Sequence, residues 1–252
     1  MATPGLDIPA QASLAKEWGF HGVDLRVGQP GRGEIPEELS AWQCVEIRNA
    51  LDGVQVPGLL CYNQKIQAGR EALTESVLQN LRLARLLGCP MIRIFTGKIV
   101  TPAELDALTD ALRAVLCRDD SGIRIGMQIH MNSGVTVAQA LAVCKRLQND
   151  RVGIILSPDQ SVLSGDEWEH LLPEAAPHVF QVYVADIDEA GQFTTIGDGV
   201  IDFAGILDTL YQNGFDGYVT LKWEKCWLAY LPDHPEGFRS FLRYLQKHAF
   251  LP

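Results

Sequence analysis

A helix stop, a short turn, a buried strand and a basic residue are written at both ends of this chain. The first instance is Gly19-Phe20-His21-Gly22-Val23-Asp24-Leu25-Arg26, and the second is Gly214-Phe215-Asp216-Gly217-Tyr218-Val219-Thr220-Leu221-Lys222. Helix-to-strand units that repeat in this way return each strand to the sheet in the same direction, so the strands pair in parallel through right-handed crossovers. Apolar spacing of helical period predicts helices over 10–18, 37–51, 70–87, 102–116, 137–147, 166–172, 203–212 and 235–248. Thr101-Pro102 opens one of them, and Gly88 and Gly214 close two others. Short β-branched runs at 23–27, 54–61, 91–95, 123–129, 152–156, 179–184 and 218–223 alternate with the helices as strands.

Strict alternation leaves an α/β barrel or a doubly wound sheet. Ile123, Ile125, Met127 and Ile129 alternate with Arg124, Gly126, Gln128 and His130, and Val219, Leu221 and Trp223 alternate with Thr220, Lys222 and Glu224. An apolar outer face under helices and a mixed inner face is what a TIM (β/α)8-type barrel requires. No GxGxxG follows the first strand, which weighs against the doubly wound alternative. The first strand is missing or irregular, because residues 1–9 are interrupted by Pro and Gly. A gap there leaves open strand edges, which a homodimer would cover. The length of 252 residues suits one barrel domain spanning 1–252.

The net charge of −10 repels nucleic acid and anionic membrane, so neither is expected as a partner and a small molecule is. Six cysteines without a CxxC pair read as reduced thiols in a cytoplasmic protein. No apolar run approaches the roughly 18 residues of a membrane span, and the basic-then-apolar pattern of a signal peptide is absent from the start.

Three stretches carry a family resemblance. Leu83-Ala84-Arg85-Leu86-Leu87-Gly88-Cys89-Pro90 leads into Ile92-Arg93-Ile94-Phe95, Val152-Gly153-Ile154 precedes Pro158, and Ile196-Gly197-Asp198-Gly199-Val200-Ile201-Asp202-Phe203 leads toward Gly214-Phe215-Asp216-Gly217. Together they resemble the xylose-isomerase-like TIM barrels, which include sugar phosphate isomerases and epimerases, inosose dehydratases and endonuclease-IV-like proteins. The resemblance implies a divalent metal held by Glu, Asp, His and Glu at four strand ends, polarising a hydroxy-carbonyl substrate. The corresponding positions here are Gln128, Ser157, Tyr183 and Lys222, none of which is the expected ligand. Hard cations want anionic oxygens, whereas Gln and Ser offer neutral dipoles and Lys222 brings a positive charge. Repulsion between like unit charges about 4 Å apart is on the order of 4 kcal/mol at an effective dielectric near 20. The expectation is a dead metal site with no cofactor, and with the Lys222 ammonium in the vacated position.

The polar residues projected onto the barrel mouth are Asp24, Arg26, Asn63, Arg93, Gln128, His130, Asp159, Tyr183, Asp186, Lys222 and Glu224. His130, Lys222 and Glu224 are the candidate catalytic groups. Asp24, Arg26, Asn63, Arg93, Gln128, Ser157, Tyr183, Asp186 and Trp227 are the candidate substrate contacts. Each has a structural alternative: His130 as a satisfied core histidine, and Lys222 paired with Glu224, Asp24 or Asp186. Arg26 and Arg93 either grip an acidic metabolite or salt-bridge neighbouring strands. Gly197-Asp198-Gly199 is a weak phosphate cradle or a plain turn, and Trp227 suits a lid. Two functions remain open. One is a divergent, metal-independent sugar isomerase, epimerase or lyase acting on a small polyhydroxylated or hydroxy-carbonyl compound. The other is a pseudoenzyme that binds a sugar-like ligand or a partner subunit.

Overall fold

The computed structural model describes residues 1–28 and 34–251. Its contacts divide into two compact units, Asp7–Ile154 and Ile155–Pro252 with Met1–Leu6.

The first unit alternates α1 (Ile8–Glu17), β1 (Leu25–Val27), α2 (Ala41–Ala50), β2 (Leu59–Cys61), α3 (Arg70–Leu87), β3 (Met91–Ile94), α4 (Pro102–Arg118), β4 (Arg124–Gln128) and α5 (Val137–Leu147). Strands β1 to β4 are parallel neighbours in chain order, with Leu25 opposite Leu59, Leu59 opposite Ile92 and Met91 opposite Arg124. The helices start where side chains can satisfy orphan backbone N–H groups. Ser40 with Gln43, Thr101 with Glu104 and Thr136 with Gln139 form capping boxes. That is why α2 begins at Ala41 and not at residue 37. Helix α3 ends at Gly88, whose φ of 72° suits a residue without Cβ. Leu73, Val77, Leu81 and Ala84 lie along one buried stripe of α3. Strand β2 keeps only the last three residues of the expected 54–61 run, because Pro57 cannot donate to a ladder.

The division falls within strand β5 (Val152–Leu156). The second unit continues with α6 (Pro158–Ser164), α7 (Leu172–Ala175), β6 (Val179–Val184), a small antiparallel pair β7 (Asp186–Ile187) and β8 (Phe193–Thr194), α8 (Phe203–Gln212), β9 (Tyr218–Leu221) and α9 (His234–Lys247). Strands β6 and β9 are parallel, with Gln181 opposite Tyr218 and Val184 opposite Leu221. Trp223 is buried as the alternation predicts, and its indole N–H donates to Pro232 O at 3.1 Å.

One further expectation about an element changes. The helix expected over 166–172 is replaced by α6, a 3-10 turn at Glu169–Leu171 and α7. Pro158 at the first helical position starts α6 early, and Gly165 in the left-handed region stops it. Residues 1–7 contain no strand, and the carbonyl of Met1 accepts the Cys226 N–H at 3.1 Å. Among the described residues no helix is long and apolar enough to cross a membrane.

Candidate active site

Lys222 follows β9 directly, and the chain returns a second acid to it two residues later. Its Nζ donates to Asp159 Oδ2 at 2.6 Å and lies 3.6 Å from Glu224 Oε1. The side chains of Lys222, Asp159 and Glu224 are 5%, 0% and 14% exposed, so this is an interior arrangement of one ammonium and two carboxylates. Asp159 stands in the first turn of α6, where an acid is also favoured by the helix dipole. The Gln160 Nε2 donates to the same Oδ2 at 2.7 Å. Asp159 Oδ1, Gln160 Oε1 and Ser161 Oγ are buried and have no hydrogen-bond partner among the described residues. Burial pushes the Glu224 carboxyl above its ordinary value against the opposing pull of Lys222. A carboxylate so tuned is a better proton acceptor than an exposed one, and the neighbouring ammonium can stabilise an oxyanion.

Lys222 thus takes Glu224, one of its expected partners, and adds Asp159 in place of Asp24 or Asp186. The Asp159 pairing has a sequence signal: Ser157-Pro158-Asp159 is a helix start, which points the Asp159 side chain from a first turn and not from a loop. Ser157 precedes that turn and is fully buried. Tyr183, also buried, stands on β6 opposite Thr220 of β9.

Asp186, an expected substrate contact, is engaged by backbone. Its Oδ1 accepts from Ile187 and Ile201, and its Oδ2 from Gly197 and Gly199, at 2.9–3.3 Å. Both oxygens are committed to the loop backbone, and Gly197-Asp198-Gly199 is the turn and not a phosphate cradle, since its amides already serve a carboxylate. Trp227, 49% exposed, lies in the loop after β9. The Lys222 ammonium stands 5.6 Å from the Phe193 ring centroid.

In the first unit, Asp24 precedes β1 and accepts the Gly58 N–H at 2.9 Å, which puts it at the entry of the strands and not at the expected mouth. Asn63 also differs from expectation. Its Oδ1 accepts from Phe95 N, and its Nδ2 donates to Phe95 O and Gln64 O, so its amide splices two loops. Arg26 takes the structural alternative: its Nε donates to Glu34 Oε1 at 2.8 Å and its backbone N–H to Glu34 Oε2 at 2.6 Å. Gln128 ends β4 and is buried. The His130 Nδ1 accepts the N–H groups of Asn132 and Ser133 at 3.2 Å, which leaves Nε2 as the proton-bearing nitrogen of the neutral ring. The ring meets Phe95 edge-on at 5.3 Å. Arg93, 3% exposed, lies over Phe95 at 4.0 Å and Tyr62 at 5.2 Å.

Residues 12–248 match the model of the xylose isomerase-like TIM barrel, and the chain belongs to that family. An inosose dehydratase of Geobacillus thermodenitrificans is 24% identical over 147 residues, covering 50% of this chain and 49% of that protein. The chain spans about half the length of the curated relatives it matches. Among solved structures, the 3-keto-D-glucoside 4-epimerase from E. coli superposes with a TM-score of 0.70 at 17% identity, over 97% of this chain and 95% of that one. The IOLI protein with a bound zinc atom superposes with a TM-score of 0.73 at 15% identity, over 96% and 94%. These likenesses fix the fold as a TIM barrel, with the α/β alternation that the sequence predicts.

Proposed function

We propose that this chain catalyses proton transfer beside the carbonyl of a small polyhydroxylated compound, giving isomerisation, epimerisation or dehydration, with Lys222 standing in for a divalent cation. The observation that carries this reading is the buried Lys222 ammonium between Asp159 and Glu224. The residues present do not fit a divalent ion. The two carboxylates nearest the strand end already neutralise an ammonium, and among the described residues no group of three or more His, Cys, Asp or Glu side chains could hold a metal ion.

In this reading the Lys222 N–H donates to the substrate carbonyl oxygen, and the Glu224 carboxylate removes the proton from the adjacent carbon. The electron pair of the broken C–H bond becomes the enolate, whose oxygen is stabilised by Lys222. For isomerisation the proton on Glu224 passes to the former carbonyl carbon while the neighbouring hydroxyl gives its proton to the enolate oxygen; for dehydration it leaves with the β-hydroxyl as water; for epimerisation a solvent water protonates the opposite face and the resulting hydroxide takes the proton from Glu224. The bare Asp159 Oδ1 and Gln160 Oε1 are acceptors for substrate hydroxyls. The inosose dehydratase and epimerase likenesses support the substrate class. This scheme gives no step to His130.

The test is deuterium exchange by NMR, with ketoses and inososes in D2O and chelator-treated protein. The reading expects exchange at the carbon beside the carbonyl, lost in Glu224→Gln and insensitive to chelator. Activity that returns only with added Zn or Mn overturns the role given to Lys222. A second reading, a non-catalytic binder of a sugar-like ligand, is favoured by the depth of the Lys222–Asp159 pair. Saturable binding without exchange for any of these compounds would select it.

A further inference from the structure

Arg93 is a buried cation without a carboxylate partner among the described residues. Its Nη1 donates to Cys61 O at 3.3 Å, while its Nε has no hydrogen-bond partner among the described residues, and no carboxylate there pairs with the guanidinium. The residues outside the described set, 29–33 and 252, have no acidic side chain to supply one. Taking a charge out of water is costly unless it is paired, and aromatic faces return only part of that cost. The other buried cations among the described residues follow the rule: Arg26 has Glu34, and Lys222 has Asp159.

The surroundings leave room and add positive potential. The register partner of Arg93 on β4 is Gly126, which places no side chain beside the guanidinium. Tyr62 is exposed, and Phe95 and His130 are half-buried, so the aromatic rim around the cation reaches solvent. The Lys65 Nζ is held by Ser133 Oγ at 3.2 Å, and Ser133 in turn donates its N–H to His130, so a second cation is fixed to the same rim.

We infer that the Arg93 guanidinium is the docking point for a small oxyanion, the carboxylate or phosphoryl group of a ligand. The planar fork of Arg presents parallel N–H groups that match either group, which a lysine at this position could not do. The rim supplies π-faces to the guanidinium and keeps it flat and oriented before the anion arrives. This inference stands apart from the Lys222 reading, since it concerns binding and needs no turnover.

The experiment uses the full chain labelled with 15N-arginine, with the Arg93 Nε–H resonance assigned by its loss in Arg93→Lys. Pyruvate and inorganic phosphate are titrated separately at ionic strength fixed with sodium chloride. The inference expects a saturable shift of that resonance and a rising Tm with at least one of them. In Arg93→Met the midpoint of the Tm response should weaken about tenfold or more. Saturation by pyruvate alone assigns a carboxylate ligand, and by phosphate alone a phosphoryl ligand. The Glu224→Gln protein should give the same curve, so failure of the proposed reaction and failure of anion docking are told apart. An Arg93 resonance that moves with neither anion, or no more than with chloride, overturns the inference even if Arg93→Met does not fold.

Discussion

Two buried cations, one in each unit, are treated in opposite ways. Lys222 has a carboxylate at 2.6 Å and a second at 3.6 Å, whereas Arg93 has a backbone carbonyl and two aromatic rings. A cation held by carboxylates can keep its geometry with nothing bound. A cation without its counter-charge is instead incomplete until an anion arrives. Chemistry is therefore sought at Lys222 and recognition at Arg93.

The largest effect is expected at Lys222. Replacing it by Met strands Asp159 as an unpaired buried charge, which should cost roughly 3–5 kcal/mol in urea unfolding at neutral pH. Adding Asp159→Leu should recover much of that loss, although Gln160 Nε2 then loses its acceptor. A double variant as unstable as the single one would show that the pair is not the source of the cost. The next effect is at Arg26, which Glu34→Gln would turn into a residue resembling Arg93. The carboxylate accepts from both the side chain and the backbone of Arg26, so the expected loss is about 1.5–3 kcal/mol.

Much of this frame was legible in the sequence. The 3.6-residue and two-residue periods, the Thr101-Pro102 start and the glycine stops mark most helices and strands, because burial and capping are local demands. The partnership of Lys222 with Asp159 spans 63 positions: Pro158 signals the helix start that decides where the carboxylate points, but nothing local in the sequence names the partner it meets. The backbone bonds of Asn63 and Asp186 were hidden for a different reason. A polar residue at a strand end looks the same whether it receives a ligand or splices loop N–H groups, and only the path of the following loop tells them apart. Asp24 was misread by its side of the sheet, as it stands before β1 and not after it.

Glu224 gives a smaller and pH-dependent effect. Its carboxyl is pushed up by burial, so the folded state holds the proton more tightly than the unfolded chain does. The stability it contributes is fully present below the unfolded value near 4.5 and is lost as pH rises through the higher folded value. Glu224→Gln removes this dependence, so Tm of the variant relative to the native chain should climb as pH rises from about 4.5. In the proposed reaction the native kcat/KM falls as pH drops through the same raised value, because the base is then protonated. A stability difference that is flat over this window would place Glu224 in a more solvated setting than the structure gives it.

The smallest effect is expected at Arg93. Arg93→Met leaves no carboxylate stranded, and what it forfeits in cation–π contact with Phe95 and Tyr62 it regains by removing an unpaired charge from the interior. In a buffer whose only anion is chloride, its unfolding free energy should therefore lie within about 1 kcal/mol of the native chain. The gap should then widen as the docking anion is added, because only the native protein gains stability by mass action. A loss as large as that of Lys222→Met in chloride alone would mean that Arg93 is already fully compensated by the fold. The contrast between the two cations would then be one of partner type and not of completeness.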